Sequence, residues 1–428
     1  MDTIGGKSFA LALVLIIIVP SLIAVAAMPF GLAQTGTNEN GIISSDTTWT
    51  KADSPYTLTG PVGIAKGATL MIEPGVTVNI GTFYLEVNGT LNAQGTSSEQ
   101  IFFYSNNRYS GPPMNYNSLN NAPENIFMDY DNPTCVIENA VLNQTSINGD
   151  SYISNATVTV IGCTLKGDSE IYVGGSATIY NCYVEGAVFL RGASTVTGNT
   201  FLGGINIAGG SYTPFAIGTY SVSGNNITNR QGNDVINAGD SGTITGNVIW
   251  GGSEAGIRRD EFPTGSTIIE KNFIVNNQWG ILIGRGDDNS TIQNNTIAYN
   301  QVGIKSPTSS ETITNNNIQN NTQYNMDAGS ESVTVSNNWW GTTDQQAISN
   351  SIYDSKNDFN LGTVNFVPFL AAPNPQAPSL NTPIPTPHPS ASPSTTPAVP
   401  EFTWLAILPL FTSMLIISVR SRHRKRQA

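Results

Sequence analysis

Histidine and cysteine are almost missing from this chain of 428 residues. Both histidines, His388 and His423, fall near the C-terminal end, so the body holds no imidazole for acid–base work or for a histidine-rich copper site. Three cysteines cannot build a disulfide framework for a chain of this size. Charge is scarce as well, at 11% of residues. The formal net charge is −12; Arg420, Arg422, Arg424, Lys425 and Arg426 against Glu401 make the last segment +4, leaving −16 on the rest. A body this acidic is not expected to bind nucleic acid or anionic membrane.

The chain has asparagine instead, as in TITNNNIQNNT (312–322). Asn is a poor former of helix and strand, so such runs ordinarily mark solvated, disordered tracts. Here they keep a grammar: a β-branched residue, two variable positions, an amide or thiol, one variable position, then a large apolar anchor. The unit runs at 136–141, 160–165, 179–184, 196–201, 222–227, 244–249, 269–274, 292–297, 313–318 and 335–340. A second apolar piece follows the later units at Val235, Ile257, Ile281, Ile304 and Met326. Several short strands per roughly 22 residues form a coil that cannot bury its own apolar face, so coils must stack. The expected fold is all-β, a single-stranded right-handed parallel β-helix over 49–370. Blades of a propeller would need a longer repeat, and a horseshoe would need a leucine pattern.

Stacked coils stand about 4.7–4.9 Å apart, which aligns the repeated polar residue into a column. Asn139, Cys163, Cys182, Asn199, Asn225, Asn247, Asn272, Asn295, Asn316 and Asn338 are expected to form it. An amide carries both donors and an acceptor and can bond its copies above and below. The ladder is expected to break at the two cysteines, read as buried thiols and not as a disulfide or metal pair. Sequons occur at Asn88, Asn143, Asn155, Asn226, Asn289, Asn294 and Asn320, several of which are expected to face outward as candidate glycosylation sites on an exported chain. Ser105 to Pro133 reads as a bulging loop, Trp49 and Tyr56 as a cover for one end of the core, and the aromatic-rich stretch after Asn337 as a cap at the other.

Both ends carry targeting signals. Lys7, an apolar run and small residues to Ala33 read as a signal peptide (1–33), followed by a linker (34–48). A Pro/Ser/Thr-rich spacer (371–400) leads to a hydrophobic segment with a basic tail (401–428), at the short limit for spanning a bilayer. The order PEF (400–402), apolar segment, RSRHRKR (420–426) resembles the archaeal PEF-type sorting signal. That resemblance implies a protein held at the outer cell surface by the helix or by a lipid exchanged for it. The coils, the amide repeat and the NNWWG…PFL ending resemble the parallel β-helix repeat proteins of archaeal and bacterial surfaces, described as carbohydrate-binding or sugar-hydrolase-like.

For a site, the densest charge is Arg258, Arg259, Asp260 and Glu261, then Arg285, Asp287 and Asp288, then Lys305. In one strip these would suit a sugar acid, with carboxylates holding Ca²⁺ or working as acid and base and a cation stabilising an enolate. The bland reading is surface ion pairs. The spaced aspartates, Gly-His-Gly and Arg-x-Lys pattern of the β-helical polygalacturonases is not met, whereas lyase chemistry needs no histidine. Trp250 and Trp279 are candidate sugar-contact aromatics, although they sit at different phases of the repeat. The expected function is therefore an exported, surface-anchored structural, adhesion or glycan-binding rod; the alternative is a polysaccharide lyase or glycoside hydrolase.

Overall fold

In the computed structural model, residues 36–106, 125–128, 133–149, 156–207, 218–239, 241–259, 265–284 and 289–384 are described. Both targeting segments, and most of the spacer, lie outside them. No described helix is long and apolar enough to cross a membrane.

The strands wind as a parallel β-solenoid with three walls. Wall 1 is a 12-stranded sheet, from Thr47–Trp49 to Thr312–Thr314. A 25-stranded sheet supplies walls 2 and 3. One coil shows the plan. Thr267–Glu270 lies in wall 1, Phe273–Val275 in wall 2 and Trp279–Leu282 in wall 3, each pairing in parallel with its copy one coil on. Alternation does the sorting: in wall 1, Val158, Ala177 and Val196 point inward and are buried, while Thr159, Thr178 and Thr195 point out. The inward columns meet as one apolar core from Trp49 to Val364. Trp49 stacks on Tyr56 at 4.7 Å at one end, and Trp340 meets Phe366 edge-on at the other. Both end covers fall where the sequence placed them.

The corner between walls 1 and 2 holds the ladder. Asn199, Asn225, Asn247, Asn272, Asn295, Asn316 and Asn338 are all buried. Each Nδ2 donates to the Oδ1 of the next: Asn199 to Asn225 at 2.9 Å, Asn247 to Asn272 at 2.9 Å, Asn295 to Asn316 at 3.0 Å. The same Oδ1 also accepts the preceding coil's backbone N–H, as Asn316 does from Asn295 at 3.0 Å. Amide-to-amide links stop at the cysteines, as expected, but the column does not. The Cys182 backbone N–H donates to Asn199 Oδ1 at 2.8 Å, and Cys163 N–H reaches Cys182 Sγ at 3.5 Å. All three cysteines are free and buried.

Asn139 is a correction. Ile137, not Val136, pairs with Val160, so the rung of that coil is Ala140, which is fully buried. Asn139 stands one place earlier with φ +46. From Asn139 onward that place is left-handed in each ladder coil: Gly162, Asn181, Gly198, Gly224, Gly246, Lys271, Asn294, Asn315 and Asn337 occupy it. Asn tolerates the left-handed region, so one residue type fills two adjacent slots for two reasons. The second apolar piece needs a similar one-place shift, because Ile236 and not Val235 pairs with Ile257.

A second ladder, which the sequence reading missed, lines the corner between walls 2 and 3. Asn277 Nδ2 donates to Asn300 Oδ1 at 3.0 Å, and Asn300 Nδ2 to Asn321 Oδ1 at 3.2 Å. Its members sit five residues past rungs of the first ladder (272/277, 295/300, 316/321), a spacing present in the sequence.

Three segments read as connecting chain belong to the rod. Thr37–Ile43 pairs in parallel with Tyr56–Ile64, inside the expected linker. Ile126–Met128 is a wall 3 strand inside the expected loop. Residues 371–384, assigned to the spacer, return along wall 2. Asn374 N–H donates to Asn317 Oδ1 at 2.7 Å, Thr296 Oγ1 donates to the Pro378 carbonyl at 2.5 Å, and Leu380 and Ile384 pack on Phe273, Val275 and Ala298.

Candidate functional site

Of the expected charge strip, Asp260, Glu261, Arg285, Asp287 and Asp288 lie outside the described residues. Wall 3 divides the other three. Arg258 and Lys305 point outward in one register row, separated by Leu282. Arg259, next in the strand, points inward and is fully buried. Its guanidinium donates to the carbonyls of Ala238 and Gly239 at 2.9 Å and of Gly265 at 3.0 Å. It ties chain on neighbouring coils, so as a catalytic candidate in a surface strip it is corrected to a core residue.

Both outward cations have carboxylate partners. Arg258 Nε donates to Asp234, and one of its terminal nitrogens to Glu254 at 2.6 Å. Burial works against the Arg258 charge, but the hydrogen bond and charge of Asp234, then those of Glu254, leave its pKa above the ordinary value. Lys305 Nζ contacts Asp327 at 2.6 Å and stands 5.8 Å over the Trp279 ring. Trp279 therefore has one face covered by a cation. Trp250 is on wall 2, its Nε1 donating to Asn226 Oδ1 at 2.9 Å, and packs on the Phe273, Val275 and Ala298 cluster that Leu380 and Ile384 also cover. Trp250 and Trp279 do not share a surface.

The outward row of wall 3 is longer than the charge pattern suggested. In register it runs Phe127, Asn148, Tyr172, Phe189, Asn206, Asn237, Arg258, Leu282, Lys305, Asp327 and Tyr353. Tyr172 and Phe189 stack at 4.2 Å and 9°. Asn206 and Asn237 follow, half-exposed, on adjacent coils. Asn237 Oδ1 is shielded from solvent and accepts no hydrogen bond from the described residues. Wall 3 aromatics and amides were absent from the expected site because sequence periodicity marks inward residues more strongly than outward ones.

The three thiols are buried. Burial pushes Cys135 up to about 12. Cys163 is also raised, by burial and then by Cys182, which is itself lowered by the Cys163 hydrogen bond. Among the described residues no three His, Cys, Asp or Glu side chains group as metal ligands.

The sequons divide as well. Asn226 is buried beneath Trp250, a correction to its outward placement. Asn294 takes φ +56 and accepts from Asn374 Nδ2 at 2.9 Å. Asn88 donates to Glu86 and Asn143 is half-buried, whereas Asn289 and Asn320 are exposed. Asn155 lies outside the described residues.

Residues 193–357 match the family described as periplasmic copper-binding protein (NosD). Protein bark beetle of Drosophila melanogaster is 39% identical over 64 residues, 15% of this chain and 2% of that protein's length. Two solved structures are similar, the A-modules of the mannuronan C-5 epimerases AlgE4 and AlgE6 of Azotobacter vinelandii. Their identities are 12% and 13% and their TM-scores 0.28 and 0.22, each over 81% of this chain and 94% of theirs.

Proposed function

We propose that this chain is an exported β-helix of the cell envelope that contacts a glycan through wall 3 and does not turn it over. The supporting observation is the outward row from Phe127 to Tyr353, in which Asn148 and Leu282 are buried and the other members offer rings, amides and paired charges. Amides donate to and accept from sugar hydroxyls, and ring faces pack on apolar sugar faces. Engagement of Arg258 and Lys305 by carboxylates supports binding over chemistry, since a cation meant for a developing enolate or a uronate is already neutralised.

The rod's attachment to the surface through its C-terminal segment is part of the same proposal. The copper in the matched family's description is not carried over. The described residues group no metal donor set, and both histidines fall outside the described residues.

Retention of the protein by immobilised polysaccharides, with sugar release measured in parallel, tests this reading. Retention without release is expected. Release of sugar would establish the lyase or hydrolase alternative, and failure to be retained would remove the glycan reading.

A further inference from the structure

Wall 3 changes character at one place. Tyr172 and Phe189 are large and aromatic, and from Arg258 the row runs through the long side chains Arg258, Leu282 and Lys305. Between them lie only Asn206 and Asn237. From Phe189 to Arg258 is three coil steps, roughly 14 Å along the rod. Two short amides between two long side chains leave a notch, with a ring at one end, a guanidinium at the other and carboxamides as its floor.

The polar groups of this notch are not used up by the fold. No side-chain hydrogen bond joins Asn206 or Asn237 to another described residue, and both side chains are half-exposed on adjacent coils. The aromatic stack also ends here, because the residue after Phe189 in the row is an amide. One Phe189 face is stacked on Tyr172, and the other looks along the rod over the notch.

Charge decides the class of ligand. Arg258 is closed by Asp234 and Glu254, so the notch and its rim carry one cation against two acids. An anionic sugar would meet no free positive charge there and would face an acidic body. A neutral sugar meets two half-exposed carboxamides and a ring face.

We infer that the notch bounded by Phe189 and Arg258, with Asn206 and Asn237 as its floor, is a subsite for an uncharged sugar unit of a polysaccharide. This deepens the glycan-contact reading and rests on it. Binding comes from hydrogen bonds and ring packing, so it is insensitive to salt.

The test uses the full chain and its Asn206→Ala/Asn237→Ala and Phe189→Ala variants. Retention is measured on neutral and uronate-containing polysaccharides at low and high salt, with unfolding temperature as a folding control. Expected is retention on a neutral polysaccharide, unchanged by salt and weakened about tenfold or more in either variant at near-unchanged unfolding temperature. Preference for acidic polysaccharides with release by salt would overturn the neutral class while leaving glycan contact intact. Neutral retention that neither variant weakens would overturn the notch. Retention on nothing would overturn the underlying reading.

Discussion

At Asn294 and Asn295 two identical side chains on adjacent residues do different work. Asn295 is a buried rung, donating to Asn316 and to the Ile269 carbonyl at 2.8 Å. Its replacement by alanine strands the partners above and below, so Asn295→Ala is expected to cost about 1–3 kcal/mol in chemical denaturation. Asn294, one of the sequon asparagines, takes φ +56 and holds Asn374. Asn294→Ala therefore meets left-handed strain of about 1–2 kcal/mol and is not neutral. Lys271 fills the same slot at φ +55. Lys271→Gly is expected to raise stability by up to about 1 kcal/mol in the same assay; a loss would contradict the slot assignment. The column was legible because rung and anchor recur at fixed spacing. Rung and left-handed slot were not separable at Asn139, because both favour the same residue and only strand register distinguishes them.

At the level of elements, the C-terminal cap is tied by one carboxylate. Asp354 accepts from the Lys356 ammonium at 2.8 Å, the Lys356 N–H at 3.1 Å and the Val364 N–H at 3.2 Å. Burial works to raise its pKa, but the Lys356 hydrogen bonds, the Val364 N–H and the Lys356 charge together hold it below the ordinary carboxylate range. A lowered folded value means that its contribution is complete above the unfolded value, about 4, and is lost as pH falls through the folded one. Amide exchange of the cap is therefore expected to quicken only in acid below about pH 4. Asp354→Asn should show the quickened exchange at neutral pH; an unchanged profile would show that the carboxylate is not what ties the cap.

The strap on wall 2 is a second such element. Its Pro-rich composition reads as spacer, and nothing in its own pattern records that Phe273 and Val275 on an outward strand need a cover. Truncation after Leu370 is expected to expose that cluster, raising hydrophobic-dye binding and lowering the unfolding temperature. Unchanged values would mean that the strap is incidental.

Over the whole rod, sequence and structure agree on how coils stack and differ on where function sits. Inward periodicity made the core, both end covers and most of one ladder readable. Outward rows have no such constraint, so the notch emerges only once Asn206 and Asn237 are known to be neighbours in register. Arg259 leaves the charge strip for a related reason: it and Arg258 are adjacent in sequence and therefore face opposite sides of a strand. Walls 1 and 3 then offer an internal comparison, since Tyr180 and Met71 are exposed on wall 1 at 51% and 46%.

Hydroxyl-radical footprinting of the rod, free and on a neutral polysaccharide that retains it, tests the assignment of wall 3 most directly. Protection of Phe189, with Tyr180 and Met71 labelled as in the free protein, is the expected result. Protection of Tyr180 and Met71 with Phe189 unchanged would place the contact on wall 1 and contradict the account.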